Sequence, residues 1–133
     1  MAETLEFELV SPEKLLVSEP VEMVVVPGAE GNFGALPRHS PLLSTVRPGV
    51  LDIYKNGAVA SRIFVAGGFA EVTEERCTVL AEEAVRLESL TREMVEARLQ
   101  SARDAAQEAD TPAEKAQAQR QLAVAEAMRA ALA

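Results

Sequence analysis

The chain has 133 residues, of which 48% are hydrophobic and 26% charged, and its formal net charge is −8. This length suits one domain, or one domain with an appendage, and the hydrophobic fraction is sufficient for a globular core. The acidic balance argues against nucleic acid or an anionic membrane surface as a direct partner, and no apolar run reaches the roughly 18 residues of a spanning helix. The single cysteine, Cys77, cannot form an internal disulfide, which favours a reducing compartment.

The composition changes between residues 84 and 90. Glycine is absent after Gly68, fifteen alanines lie between Ala84 and Ala133, and valine is frequent only before position 85. Residues 2–85 carry 6 basic and 13 acidic side chains, whereas residues 86–133 carry 7 and 8. We therefore predict an α+β fold in two parts: a β-sandwich domain over residues 1–86 and a two-helix hairpin over residues 87–133.

Short apolar and β-branched segments of the first part are separated by turn signals at intervals of roughly 8–12 residues, a pattern typical of an antiparallel β-sandwich. The predicted strands cover residues 5–9, 14–17, 21–26, 50–54, 59–66, 69–73 and 77–81. Asn56-Gly57 accepts the positive φ angles of a two-residue type I′ turn and predicts a hairpin. Cys77 is interpreted as a small strand residue without chemistry. The predicted core residues are Leu9, Val24, Val26, Leu43, Val46, Leu51, Ile53, Ile63, Val65, Val72, Val79 and Leu80.

The segment 27–49 is rich in residues that interrupt regular structure. Its glycines and prolines exclude a helix and a regular central strand, while its apolar side chains indicate a shaped, partly buried surface loop between strands. The residues predicted to shape this loop are Gly28, Gly31, Gly34, Pro37 and Pro41.

Catalytic, cofactor and metal sites are not predicted for this loop. The glycine spacing is not that of a dinucleotide fingerprint, and no Lys-Ser/Thr pair follows as in a P-loop. His39 is the only histidine, so it lacks a second histidine for a metal site, and no nucleophile is assigned to it. Two interpretations remain: a structural turn whose histidine caps a backbone group, or a contact loop for another protein.

The sequence of the second part predicts two antiparallel helices. Ser89 or Thr91 begins the first, and Thr111, Pro112 and Glu114 form a complete start signal for the second. The apolar faces consist of Val95, Leu99, Ala102, Ala106 and Ala109 in the first helix and Ala118, Leu122, Ala125 and Leu132 in the second. At about 25 cal/mol per Å², an alanine seam stabilises little, so the hairpin is either a weakly held, movable appendage or a plain solvated hairpin.

Several segments, in order along the whole chain, resemble the epsilon subunit of the bacterial F-type ATP synthase, which corresponds to delta in the mitochondrial enzyme. Residues 27–43 read PGAEGNFGALPRHSPLL, and residues 47–51 follow with RPGVL. The same resemblance extends to LVSPE at residues 9–13, GGFAEV at 67–72 and TVLAEEA at 78–84.

The resemblance implies a non-catalytic central-stalk subunit that couples rotation of a proton-driven membrane ring to the gamma subunit. It implies a peripheral location on the cytoplasmic face of the bacterial inner membrane, and contact with the catalytic alpha/beta head when the helices extend. The ring contact would fall on Glu30, Asn32 and His39, and the gamma contact on Gly67, Gly68 and Glu71. Many relatives carry an acid where this chain has Asn32, so an ion pair with the ring is not expected at that position.

In some relatives the second helix binds ATP through an Ile/Leu-Asp-x-x-Arg-Ala motif. The corresponding window, residues 113–118, has Glu114 in place of the aspartate and Gln117 in place of the arginine. Because the guanidinium fork suited to phosphate is lost, ATP binding is not predicted. A nucleotide-sensing regulatory subunit is the alternative function, and an unrelated β-sandwich enzyme is a third.

Overall fold

A computed structural model describes residues 3–132. The chain divides into two compact units, one ending at Arg86 and the other beginning at Leu87. Among the described residues, the first unit holds ten β-strands and the second holds two α-helices, α1 (Arg92–Glu108) and α2 (Pro112–Leu132), after a 3-10 turn at Leu87–Ser89. The predicted fold class, a β-sandwich followed by a helical hairpin, is confirmed.

The strands form two sheets of five. They are β1 (Leu5–Val10), β2 (Leu15–Val21), β3 (Met23–Gly28), β4 (Gly31–Ala35), β5 (Leu42–Thr45), β6 (Gly49–Lys55), β7 (Ala58–Ala66), β8 (Phe69–Val72), β9 (Arg76–Leu80) and β10 (Glu83–Arg86). The first sheet has the order β2-β1-β9-β8-β5, and the second has the order β10-β7-β6-β3-β4. Neighbouring strands in the described chain are antiparallel, except that β1 and β9 are parallel. Sequence patterning does not reveal strand direction across so large a separation.

The hydrophobic core lies between the inner faces of the two sheets. The predicted core residues that are buried there are Leu9, Val24, Val26, Val46, Leu51, Ile53, Ile63, Val65, Val72 and Val79. The prediction was wrong for Leu43 and Leu80, whose exposed fractions are 67% and 50%. In the β8–β9 register, Val79 lies beside buried Ala70, so the next residue, Leu80, must point to the outer face. Leu43 lies beside exposed Glu71 and points outward for the same reason.

The segment 27–49 contains two short strands that the sequence prediction treated as loop. Both are edge strands: β4 closes the second sheet and β5 closes the first. An edge strand tolerates glycine and proline because one side of its hydrogen-bonding ladder has no neighbour. Neither of these two strands is central, as predicted, but the loop assignment was too broad, and Pro27 and Gly28 belong to the end of β3.

Local turn and cap signals are realised as predicted. Asn56 and Gly57 have φ angles of 54° and 78° between β6 and β7. The Thr91 hydroxyl accepts a hydrogen bond from the Met94 amide at 3.2 Å and caps α1. At the start of α2, the Glu114 amide donates to the Thr111 hydroxyl and the Thr111 amide donates to the Glu114 carboxylate, both at 3.1 Å.

The two helices pack against each other. Predicted positions Val95, Leu99 and Ala102 of α1 are buried, as are Ala118 and Ala125 of α2. Two differences concern the end of α2. Met128 is buried although the sequence prediction omitted it, and Leu132 is 38% exposed although it was placed on the apolar face.

Candidate functional site

The β3–β4 turn presents polar side chains at one end of the sandwich. Gly28 and Gly31 are directly paired across the turn, with the exposed side chain of Glu30 at its tip. A Cβ at Gly28 would lie 2.8 Å from the carbonyl oxygen of Gly31, and Gly31 has a φ of 135°, so both positions require glycine. Asn32, the second residue of β4, is also exposed.

This turn is fastened to the segment that follows β5. The Ala29 amide donates to the Thr45 carbonyl, and the Arg47 amide donates to the Pro27 carbonyl, both at 2.9 Å. The Arg47 guanidinium donates to the Gly28 carbonyl at 2.5 Å and to Oδ1 of Asn32 at 2.6 Å. The turn is therefore a braced structure with an exposed polar tip. Arg47 stood within the RPGVL segment of the sequence, but nothing in the local pattern indicated its partners.

His39 lies at the other end of the sandwich, apart from Glu30 and Asn32. Its neighbour Arg38 donates its amide to the Glu74 carbonyl at 2.7 Å, next to the β8–β9 turn, whereas Val46 beside the β3–β4 turn donates to Gly68 at the start of β8. The four residues of β8 separate these two ends by roughly 13 Å. The structure therefore does not bring His39 together with Glu30 and Asn32, because β4 carries the chain across the sandwich between them.

The local contacts of His39 are structural. Its ring nitrogen Nδ1 donates to the Ser40 carbonyl at 2.6 Å, and its amide donates to the Leu36 carbonyl at 3.1 Å. These contacts favour the interpretation of His39 as a residue that caps backbone groups. Pro37 and Pro41 lie in the same connection between β4 and β5.

Large apolar side chains lie exposed on the outer face of the first sheet. Exposed Leu15, half-buried Val10, and exposed Leu80 and Phe69 occupy paired positions on four adjacent strands, and exposed Leu43 lies on the next strand. We call these five residues the outer apolar patch. Leu15 and Phe69 are each 53% exposed, and a shallow depression of about 410 Å³ lies between Leu43, Phe69 and Leu80. A strand buried on one face normally alternates apolar with polar residues, so this second apolar face is not needed for the fold.

The β-sandwich matches a known family model. Residues 4–87 match the model described as the ATP synthase delta/epsilon chain, beta-sandwich domain. The chain belongs to this ATP synthase delta/epsilon family. Membership confirms the resemblance and the prediction of a non-catalytic ATP synthase subunit.

Relatives of the delta/epsilon family match over the full length. The ATP synthase epsilon chain of Rhodospirillum rubrum is 69% identical over 131 residues, covering 98% of each chain. The ATP synthase epsilon chain of Paramagnetospirillum magneticum is 62% identical over 133 residues, covering 100% of each.

Solved structures of ATP synthases contain similar chains. A chain in the Euglena gracilis mitochondrial ATP synthase structure containing OSCP, F1 and c-ring has a TM-score of 0.82 and 28% identity, covering 98% of this chain and 82% of that one. A chain in the Tetrahymena thermophila mitochondrial central stalk and c-ring structure has a TM-score of 0.74 at 16% identity, with 98% of each chain covered, which shows the shared fold alone.

The three residues that the family resemblance assigned to a gamma contact differ from one another in their structural surroundings. Gly67 and Gly68 have φ angles of 71° and 97° and form the tight connection from β7 to β8. Both are half-buried, whereas Glu71 is exposed and lines the depression in the outer apolar patch. The two glycines thus place Phe69 at the start of β8, and Glu71 borders the exposed surface itself.

The window of the family's ATP motif lies in a depression of about 420 Å³ between the end of α1 and the start of α2. Glu108 and Glu114 line it together with alanines, and the Glu114 carboxylate is engaged by the Thr111 and Asp110 amides. A hydrogen bond from the Thr111 side chain, followed by those from the Thr111 and Asp110 amides, lowers the pKa of Glu114. Gln117 accepts a hydrogen bond from the Arg120 guanidinium at 2.5 Å. The depression thus offers carboxylates, and the side chains of Glu114 and Gln117 already have intramolecular partners.

Reactive and metal-binding groups are sparse. Residues 3–132 hold no group of three or more His, Cys, Asp or Glu side chains placed to bind a metal ion. Cys77 is fully buried in β9, and burial raises the pKa of its thiol to about 12. Within the same described range, no helix is long and apolar enough to cross a membrane.

Proposed function

We propose that this chain is a central-stalk rotor subunit of a proton-translocating F-type ATP synthase, and that it couples rotation of the membrane ring to the gamma subunit. The outer apolar patch carries this proposal. The first unit already has a closed core, yet its first sheet exposes large apolar side chains on β2, β9, β8 and β5. Such a patch marks a protein contact. Gamma is the proposed occupant, and the cytoplasmic face of the bacterial inner membrane is the proposed location.

The energetics of the patch suit a durable contact between subunits. Burial of each large apolar side chain contributes about 1.5–3 kcal/mol, so Leu43, Phe69 and Leu80 together can anchor a partner. They project from paired strands whose backbones are hydrogen-bonded to each other, so a load on one side chain is shared across the sheet. A rotor connection requires this resistance to shear.

The proposed ring contact is the tip of the β3–β4 turn, at Glu30 and Asn32. This turn and the Phe69–Leu80 row of the patch lie at the same end of the sandwich. A short path connects them: Asn32 contacts Arg47, the adjacent Val46 amide donates to Gly68 at 3.0 Å, and Gly68 precedes Phe69. Force applied at the turn therefore reaches the patch through a few hydrogen-bonded residues, without a flexible linker.

Replacement of Leu80 by glutamate tests the gamma contact. The Leu80 side chain is half-exposed, so Leu80→Glu is expected to leave the sandwich folded while it places a charge in the apolar contact. We expect at least about a tenfold loss of affinity for a gamma-containing catalytic head, which corresponds to about 1.4 kcal/mol. Membranes carrying the variant are expected to lose ATP-driven proton pumping in proportion.

A matched control is Ala60→Glu, which introduces the same charge at an exposed strand position of the second sheet. It is expected to leave assembly and pumping unchanged. Wild-type association of the Leu80→Glu variant, with equal urea midpoints for both variants, would show that gamma does not bind the outer apolar patch.

A further inference from the structure

We propose that Arg47 is a positioning residue that holds the Asn32 side-chain amide in one orientation, so that the β3–β4 turn presents N–H donors to oxygen acceptors on the membrane ring. This inference rests on the proposed function, because it takes the ring as the partner of the turn. It adds Arg47 to the residues of that contact, and it states that the turn supplies the hydrogen-bond donors and the ring supplies the acceptors.

The contacts of Arg47 show how the amide is oriented. A guanidinium has only donors, so the atom of Asn32 that it meets at 2.6 Å must be the carbonyl oxygen Oδ1. The amide nitrogen Nδ2, with two donors, then points away from Arg47. Asn32 is exposed, and in the described part of the chain its Nδ2 has no hydrogen-bond partner. The two N–H groups are therefore available to another molecule.

Arg47 is itself held in place by several bonds. Its second guanidinium nitrogen donates to the Gly28 carbonyl, and its own amide donates to the Pro27 carbonyl. The guanidinium thus binds both sides of the β3–β4 turn at once, since Gly28 ends β3 and Asn32 lies in β4. A rigid fork of this kind fixes the direction of the amide more firmly than one hydrogen bond would.

Asparagine at position 32 also determines the charge of this surface. An aspartate would neutralise Arg47 and offer only acceptor oxygens, whereas asparagine leaves the guanidinium charge uncompensated by its nearest partner. Among residues 3–132, Arg47 has no carboxylate within ion-pair distance. The surface at Asn32 and Arg47 therefore fits main-chain carbonyl or carboxylate oxygens, and a salt titration of binding distinguishes these two kinds of acceptor.

NMR of the full-length chain tests the positioning. In the wild type, the NMR chemical shifts of the two Nδ2 protons and of the Nδ2 nitrogen of Asn32 should differ from those of an unconstrained asparagine side chain. The guanidinium protons of Arg47 should be observable. Arg47→Gln should move the Asn32 side-chain signals to free-amide values, and Arg47→Lys should restore part of the shift. Arg62→Gln, which removes an exposed arginine paired with Asp52 elsewhere in the sandwich, is the matched control and should leave them unchanged.

Attachment of the assembled catalytic head to ring-containing membranes tests the consequence. We expect Arg47→Gln and Asn32→Ala each to weaken the affinity of the head for these membranes roughly tenfold, because each removes an oriented hydrogen bond that is supported by a charge. The double variant should lose no more than either single one, because both act through the same amide. Asn32→Asp should keep the turn ordered through its bond to Arg47 and still lose attachment about tenfold, since the donors are gone.

Opposite results would overturn the proposal. Unchanged Asn32 signals in Arg47→Gln would show that Arg47 does not orient the amide. Wild-type or tighter attachment of Asn32→Asp would show that the ring prefers an acceptor at this position. The proposed function stands if either result occurs while Leu80→Glu still blocks association, and it fails if both the patch and the turn variants assemble as the wild type does.

Discussion

Gly68 lies against the backbone of Leu80 so closely that a Cβ on Gly68 would be 1.7 Å from the Leu80 carbonyl oxygen. Gly68 also has a φ of 97°, a conformation that residues with a side chain rarely adopt. This contact sets the start of β8 beside the end of β9 and brings Phe69 and Leu80 together on the outer face. The glycine pair thus has a structural role, because it fixes the positions of Phe69 and Leu80 within the outer apolar patch.

Replacement of Gly68 is expected to destabilise the sandwich strongly. Gly68→Ala introduces both backbone strain and a collision with main-chain atoms, so we expect a loss of about 3 kcal/mol or more in the free energy of unfolding. Gly57→Ala is the matched control, because Gly57 has a φ of 78° but nothing within 4 Å of its Cβ position. Strain alone should cost about 1 kcal/mol there. Equal losses for the two variants in urea unfolding would contradict the proposed collision.

Cys77 is expected to be inert in the folded chain. Burial raises the pKa of its thiol to about 12, so almost no thiolate exists at neutral pH and reaction with a thiol reagent should require unfolding. Cys77→Ser should destabilise by about 1–3 kcal/mol, because it places a hydroxyl in an apolar site without a partner. Cys77→Ala separates the effect of polarity from that of lost volume. Rapid labelling of Cys77 without denaturant would contradict this account.

The Thr111–Glu114 cap makes the stability of α2 depend on pH. Since the folded state lowers the pKa of Glu114, the cap contributes fully above the ordinary glutamate pKa, and its contribution is lost as pH falls through the lowered value. Circular dichroism should therefore show that Glu114→Ala reduces helicity at neutral pH and that the difference shrinks in acid. Glu126→Ala, an exposed change in the body of α2, is the control, and the same pH dependence there would disprove the role of the cap.

The chain is expected to bind ATP weakly, with a dissociation constant above about 1 mM, or roughly −4 kcal/mol. Glu108 and Glu114 face the depression between the helices and repel a triphosphate, while Gln117 supplies no guanidinium. Calorimetry with magnesium and ATP measures this affinity directly. Gln117→Arg should tighten binding, and a low micromolar constant for the wild type would support the alternative function as a nucleotide sensor.

Deletion of residues 90–133 is expected to leave a folded sandwich that still supports coupling. The core of the first unit closes among its own strands, so the truncated chain should show a cooperative urea transition. We propose that the helices contact the catalytic head only when extended, so hydrolysis by membranes should be equal or higher after truncation, with proton pumping retained. Loss of assembly would mean that the helices belong to the coupling structure.

Several features followed from the sequence because their causes are local or because they recur through the family. Asn56 and Gly57 adopt the positive φ angles that the hairpin turn requires. Thr111 and Glu114 define the start of α2 through hydrogen bonds between residues that are close in the sequence. The ordered motifs from residue 9 to residue 84 determined the family, and the change in composition after residue 84 indicated a helical second part.

The tertiary structure decided which side of a strand faced the core and which residues met. Val79 and Leu80 are both apolar, and only the register with β8 turns Leu80 outward, since adjacent side chains of a strand point to opposite faces. Likewise, His39 stands seven positions after Asn32 in the sequence, but β4 carries it to the other end of the sandwich. Arg47 meets Asn32 although 15 positions separate them. Such pairings depend on long-range strand order, which no local pattern of residues encodes.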